Sequence, residues 1–159
     1  MRFWMTLVLA LALAPALVPR AAAAQRGTAA DRAWRPFFNA FRAAVKKRDH
    51  AAMSRMMSRD FYYLSSGGDE NGNHDTRDEA FDYWEATEIG ALAAFDRVLA
   101  HGAVPNTSIR DPGNRRPSRV APPVANDKQA RERGEVEWYA VLEFRRGRWY
   151  CIAFLQCCD

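Results

Sequence analysis

Cysteine is scarce in this chain, and its three copies, Cys151, Cys157 and Cys158, all fall in the last nine positions. They cannot tie distant segments together, so a disulfide scaffold is excluded and the fold must rest on a hydrophobic core. Cys151 and Cys157 would stand roughly 20 Å apart on an extended strand, beyond the reach of a disulfide. There is no C-x-x-C pair, and with it goes a thioredoxin-type redox motif. Histidine is equally rare: His50, His74 and His101 lie at helix ends or in loops, show no metal-ligand spacing, and suit surface roles. No internal repeat is present. Charge of one sign is also lacking, because the formal net charge of +4 falls to about +2 without Arg2 and Arg20. That excess gives no footing for nucleic-acid binding.

The chain has one long hydrophobic run, at its start. Arg2 supplies a positive n-region, Phe3 to Val18 an apolar h-region broken by Pro15 and Pro19, and Ala22-Ala23-Ala24 a cleavage site ahead of Gln25. The run is short for a membrane span and no second one follows, so no span is expected once it is removed. No cysteine stands at the site to carry a lipid. Residues 1–24 are therefore expected to be a signal peptide and the protein to be exported, periplasmic or extracellular. Residues 25–159, about 135 in all, suffice for one domain with a real core.

The most ordered stretch is Glu135 to Gln156, two aromatic, β-rich segments split at Arg145-Arg146-Gly147-Arg148. Gly147 offers the positive φ of a hairpin turn. A two-residue loop at Arg146-Gly147 sets Phe144 opposite Trp149, Leu142 opposite Cys151, Ala140 opposite Ala153 and Trp138 opposite Leu155, one wholly apolar face. The other face then carries Glu137, Tyr139, Val141, Glu143, Tyr150, Ile152, Phe154 and Gln156. With no obvious element to cover it, this second face predicts a homodimer, the alternative being that a loop of the same chain folds over it.

Ahead of the hairpin, Trp34, Phe37, Phe38, Phe41, Ala44 and Val45 form an aromatic helical stripe, with Pro36 expected in the first turn. Asp49 is the expected N-cap of a short helix, His50 to Ser58, whose Met53, Met56 and Met57 face inward. A strand, Phe61 to Leu64, follows. The polar loop after it places Asp69, Asn71, Asn73 and Asp75 at alternate positions, like the first half of a calcium loop. His74 stands where that loop needs glycine and Ala80 where it needs glutamate, so an ordinary polar turn is the better reading. Thr76 and Glu79 form a capping box for a third helix with Phe81 and Trp84 inward, and Leu92, Phe95, Val98 and Leu99 mark a fourth, closed by Gly102. From Pro105 to Gly134, five prolines and seven basic residues against three acids indicate a long basic loop that contributes little to the fold, with Ser118–Ala121 as a short edge strand. Anion binding through that loop is conceivable if its arginines cluster in space.

The order of elements, with Phe37 to Ser65 and Glu143 to Phe154 as the stretches that carry the likeness, resembles the NTF2-like superfamily and its small SnoaL-like members. The resemblance implies an α+β fold, N-terminal helices packed on a curved antiparallel sheet, wrapped as a cone with an apolar pocket. Met53, Met57, Phe81 and Trp84 would line that pocket for a small apolar ligand. Family membership does not fix a function, since members include isomerases, cyclases, dehydratases and non-catalytic binding modules. The expected function is a non-catalytic or small-molecule-binding domain. The alternative is a cofactor-independent lyase or isomerase pairing an Asp, Glu or His with a tyrosine, for which Tyr62, Tyr63, Asp82 and Tyr83, with Glu137 or Glu143 on the hairpin, are the candidates by position. As amphipathic or solvated side chains these residues also have a plain structural reading. No cofactor is implied.

Mass spectrometry of protein recovered from the native host should give a mature form beginning near Gln25. An intact Met1 form in the cytoplasm would contradict export.

Overall fold

The computed structural model describes residues 28–64, 73–74, 76–87, 90–107 and 116–157. The signal segment lies outside them, as do Asp69, Asn71, Asp75 and Cys158. Helix α1 (Ala29–Lys47) begins at a capping box in which Asp31 N–H donates to Thr28 Oγ1 at 3.2 Å and Thr28 N–H to Asp31 Oδ2 at 3.1 Å. The helix therefore starts earlier than its aromatic stripe, and Pro36 stands inside it rather than in the first turn. Asp49 caps α2 (His50–Met56), accepting from Ala52 N–H at 2.9 Å. The chain passes directly into β1 (Met57–Leu64), so the strand is longer than its aromatic end suggested. After the two-residue strand β2 (Asn73–His74) come α3 (Arg77–Thr87) and α4 (Ala91–Ala100). The expected Thr76–Glu79 box opens α3, with Glu79 N–H donating to Thr76 Oγ1 at 3.2 Å.

Strands β3 (Val104–Pro105), β4 (Ser118–Ala121), β5 (Trp138–Arg145) and β6 (Arg148–Gln156) complete one six-stranded sheet in the order β2-β1-β6-β5-β4-β3. The fold is α+β with a curved, open sheet. The sheet is mixed rather than wholly antiparallel, because β1 runs parallel to its neighbour β6. A 3-10 turn (Pro123–Asn126) and helix α5 (Lys128–Glu132) lie between β4 and β5.

The β5–β6 hairpin turns as expected, through Arg146 at φ 50° and Gly147 at φ 84°. The first pairs also match, with Phe144 opposite Trp149 and Leu142 opposite Cys151. The register then shifts by one at a β-bulge: Val141 faces Ala153, Ala140 faces Phe154 and Trp138 faces Gln156. The extra residue is Ile152. Beyond it every side chain of β6 changes face relative to the unbulged expectation, and Phe154 goes into the core at 0 % exposure.

Two apolar clusters result, one on each face of the sheet. On the inner face α1, α3 and α4 pack over Phe61, Tyr63, Trp138, Ala140, Leu142, Trp149, Cys151 and Phe154. Trp34, Phe38, Phe41, Leu142, Phe144 and Trp149 lie together here as the stripe predicted. Trp149 pins the start of α1 through its indole N–H, which donates to the Ala30 carbonyl at 2.8 Å. Arg119 lies over the Trp34 ring at 4.6 Å and pairs with Asp31 at 3.7 Å, a second tie to α1. The smaller cluster joins Val120, Ala125, Ala130 and Val136, with Tyr139 packed against it, on the outer face.

That second cluster corrects two expectations. The segment from 116 to 134 is a built part of the domain, because Ala125 and Ala130 bury themselves against the sheet despite its proline and arginine content. Strand β4 is not an edge, since β3 pairs outside it. The uncovered apolar face proposed from the hairpin also shrinks: Phe154 has left it, and the 3-10 turn and α5 pack at its Tyr139 end. Among the described residues the large hydrophobic left exposed is Val124, at 43 %.

Phe41 is fully buried and meets Phe95 edge-on at 5.6 Å between ring centroids. Phe41→Ala should cost about 3–5 kcal/mol in denaturant unfolding; a loss below about 1 kcal/mol would mean that this junction of α1 and α4 is not well packed.

Candidate functional site

A break in strand pairing accompanies a broad cleft. Met57 stands opposite Cys151, and the next paired residue of β1 is Tyr62, opposite Ala153. Ser58, Arg59, Asp60 and Phe61 thus have only Ile152 across from them, and β1 bows away from β6. The opening is a cleft of about 860 Å³ between the start of β1, the end of α2, the start of α3 and the tip of the hairpin. Among the described residues seven arginines line it, Arg55, Arg59, Arg77, Arg116, Arg145, Arg146 and Arg148, and one acid, Asp60.

Arg145 forms the fixed floor. Its Nε donates to Glu143 Oε1 at 2.7 Å, and its Nη1 reaches across the break to Asp60 Oδ2 at 3.1 Å and Ser58 Oγ at 3.3 Å. Glu143 is 1 % exposed and also accepts from Arg116 Nη1 at 3.0 Å. A buried carboxylate is tolerated only with such compensation. The glutamate expected in solvent is thus an internal counter-charge. Ser58 Oγ–H donates to Asp60, and this bond, with Arg145 behind it, holds the Asp60 carboxyl below the usual carboxylate range against the opposing effect of desolvation. The depressed group favours the fold above the ordinary carboxylate pKa, and that contribution fades as pH falls through the folded value.

The other guanidiniums differ in how they are held. Arg77 donates to the Ser54 carbonyl at 2.7 Å and to Asp78 at 2.9 Å. Arg148 lies over the Tyr150 ring at 4.5 Å and donates to the Tyr150 hydroxyl. Arg55, Arg59 and Arg146 are exposed and have no carboxylate partner among the described residues. The lining offers hydrogen-bond donors in abundance and little else. Among the described residues it holds no histidine, and its carboxylate is clamped by a guanidinium, which makes it a poor general base.

The residues singled out from sequence fall elsewhere. Tyr63 is fully buried in the inner core, 5.3 Å from Trp84, 6.1 Å from Trp138 and 6.2 Å from Phe154 between ring centroids. Tyr83 is half-buried and 5.9 Å from Tyr63. Asp82 is exposed, because α3 turns Ala80, Phe81 and Trp84 inward and leaves it on the far side. Tyr62 is half-buried on the outer face, opposite Ala153. Of the four, Tyr63 and Tyr83 come together, while Tyr62 and Asp82 lie on other surfaces. Glu137 is exposed and accepts from its neighbour Trp138 at 3.3 Å.

Met53, Met57, Phe81 and Trp84 do come together, but as packed members of the core, each under 8 % exposed. Of the four, Met57 alone reaches the arginine cleft. Trp84 Nε1 is buried with no hydrogen-bond partner among the described residues, a cost of about 1–3 kcal/mol accepted in filling the interior with rings. Of the calcium-like set, Asp69, Asn71 and Asp75 lie outside the described residues, and of Asn73 only the backbone is described. His50 stacks on Phe81 at 4.7 Å and its Nδ1 meets Glu85 at 2.9 Å, while His101 Nδ1 meets the Arg97 carbonyl at 2.8 Å, both on helix surfaces. Cys151 and Cys157 are both buried, and burial pushes the Cys151 thiol up, away from thiolate chemistry.

The described arginines of the basic loop are scattered: Arg119 lies on Trp34, Arg131 donates to the Ala125 carbonyl, Arg133 pairs with Glu135 at 2.5 Å, and Arg116 joins the cleft. The cluster is assembled mainly from α2, β1 and the hairpin tip, segments far apart in sequence. In the sequence its one visible trace is the Arg145-Arg146-Gly147-Arg148 run, whose spacing by itself indicates a turn. No helix among the described residues is long and apolar enough to cross a membrane. Comparison with profiles of known families, with curated proteins and with solved structures gave no match.

Arg145→Met should destabilise the protein by about 3 kcal/mol, because it strips Glu143 of its nearest counter-charge. Adding Glu143→Gln should restore at least half of that loss in urea unfolding. Additive losses would show that the two side chains are not coupled.

Proposed function

We propose that this chain is an exported NTF2-like domain that acts without catalysis in its cone, as a binding or scaffolding module. The observation that carries the reading is the filled interior. Tyr63, Phe95 and Phe154 are all at 0 % exposure, and Phe95 and Phe154 stack at 4.2 Å between centroids with Trp138 4.9 Å beyond. A substrate in the cone would need that volume. The NTF2-like assignment draws support from the element order, two helices leading into the first strand and a long closing hairpin beside it, and from helices stacked on one face of a curved sheet. Against the lyase or isomerase alternative stand the exposure of Asp82 and the burial of Glu143 on the opposite face from Tyr63. An apolar ligand seated among Met53, Phe81 and Trp84 is disfavoured for the same reason as a substrate.

Titration of the mature protein with indole and with small cyclic ketones, followed by the Trp84 indole resonance, tests this directly. The wild-type signal should stay fixed, while Trp84→Ala, at a cost of about 3–5 kcal/mol in stability, should bind indole when titrated by calorimetry. Saturable binding of either probe at the wild-type Trp84 would overturn the filled-cone reading.

A further inference from the structure

We infer that the arginine cleft is a binding site for a small organic anion carrying two or more phosphate groups. It lies at the hairpin tip, apart from the filled interior, and does not depend on what the interior does. Among the described residues seven guanidiniums line it and three carboxylates, Asp60, Glu143 and Asp78, pair with them, which leaves an excess of positive charge facing one opening. Two tiers of arginine are present. Arg145 is locked by Glu143, Asp60 and Ser58 and gives a rigid floor, whereas Arg55, Arg59 and Arg146 stand exposed at the rim with no carboxylate partner among the described residues. A floor fixed before binding and a rim still free to turn suit a ligand that enters the cleft and is then clasped.

The chemistry of the donors selects the class. A guanidinium presents a planar fork matched to the oxygens of a phosphate, and a phosphate carries close to two charges and three acceptor oxygens near neutral pH. One phosphate would engage two or three of these forks and leave the rest repelling one another. Two or more phosphates on one scaffold distribute charge over the rim and floor together. The volume of about 860 Å³ lies toward the upper end of the range, roughly 300–1,000 Å³, usual for small-molecule pockets and is generous for a lone inorganic ion. Single-stranded nucleic acid is the less suited polyanion, because binding it relies on open aromatic faces, and the face of Tyr150 in this cleft is already capped by Arg148. Among the described residues the lining has no histidine and no carboxylate clear of a guanidinium, so what it offers such an anion is hydrogen-bond donors.

Calorimetric titration of the mature protein at low salt should detect inositol hexakisphosphate and inorganic pyrophosphate, with orthophosphate at least tenfold weaker than either. The double variant Arg59→Gln/Arg146→Gln removes two exposed, unpaired groups and should leave the unfolding transition in place while weakening inositol hexakisphosphate by tenfold or more. Arg42→Gln, an exposed arginine of α1 outside the cleft, should leave the affinity within twofold of wild type. No binding of either polyphosphate, an affinity indifferent to the double variant, or an equal loss in Arg42→Gln would each overturn the site. Orthophosphate binding as tightly as pyrophosphate would overturn the requirement for several phosphates. Preferential binding to an oligonucleotide, or to phosphatidylserine vesicles, over inositol hexakisphosphate would overturn the small-molecule assignment.

Discussion

The β-bulge at Ile152 decides which way the rings of the closing hairpin face, and most of the domain depends on it. Without the extra residue, Phe154 would share the outer face with Tyr139 and Val141, and the inner face would hold Ala153 at the position where the helices need bulk. With it, Phe154 turns inward to stack on Phe95 and to lie beside Tyr63, Trp84 and Trp138. A side chain of that size moved between faces shifts about 1.5–3 kcal/mol of burial each way. The same extra residue faces the stretch of β1 that leaves the ladder between Met57 and Tyr62. One local irregularity therefore fills the space between the sheet and the helices and lets β1 bow away to open the cleft.

This explains what could be read from the residues and what could not. Caps are local, and Thr28, Asp49 and Thr76 each bond within three residues of themselves, so two of the three helix starts they govern were legible. The missed one, Thr28, lay ahead of the aromatic stripe that drew attention to α1. The hairpin turn is local too, and Arg146-Gly147 behaves as its type requires. The register beyond Leu142 is a global choice: bulged and unbulged pairings both alternate apolar with polar, and the difference lies in whether α4 offers Phe95 as a partner. The burial of Ala125 and Ala130 was hidden for another reason. Alanine in a proline-rich, basic segment carries little apolar weight on its own, and it buries here only because β4 and β5 present Val120 and Tyr139 at the right place.

The candidate site was the least legible part. Its residues come from α2, β1, α3, the segment before β4 and the hairpin tip, and no single window of sequence shows more than three of its arginines. The tyrosines and Asp82, which the resemblance to catalytic cones brought forward, have the residue types for acid–base work but not the placement. Tyrosine in this chain is chiefly a large ring with a polar tip, and Tyr63 is used for the ring.

Glu143 joins the two halves of the domain electrostatically. It sits on the outer face of the central strand, too buried to keep its charge unaided, and it draws Arg145 and Arg116 to itself. Having been recruited for that purpose, Arg145 can also reach Asp60 and Ser58, which ties the bowed part of β1 back to the hairpin. The counter-charge for a buried acid thereby becomes the rigid base of a basic cleft. Arg55, Arg59 and Arg146 at the rim gain no such compensation from the described residues, and packing like charges around one opening raises the energy of the unoccupied state. An anion that relieves this repulsion binds with that energy added to its own contacts, so an arrangement that is costly to the empty protein is favourable to the occupied one. The site consequently weakens as salt screens the rim, while the Glu143–Arg145 contact, sheltered from solvent, is much less affected.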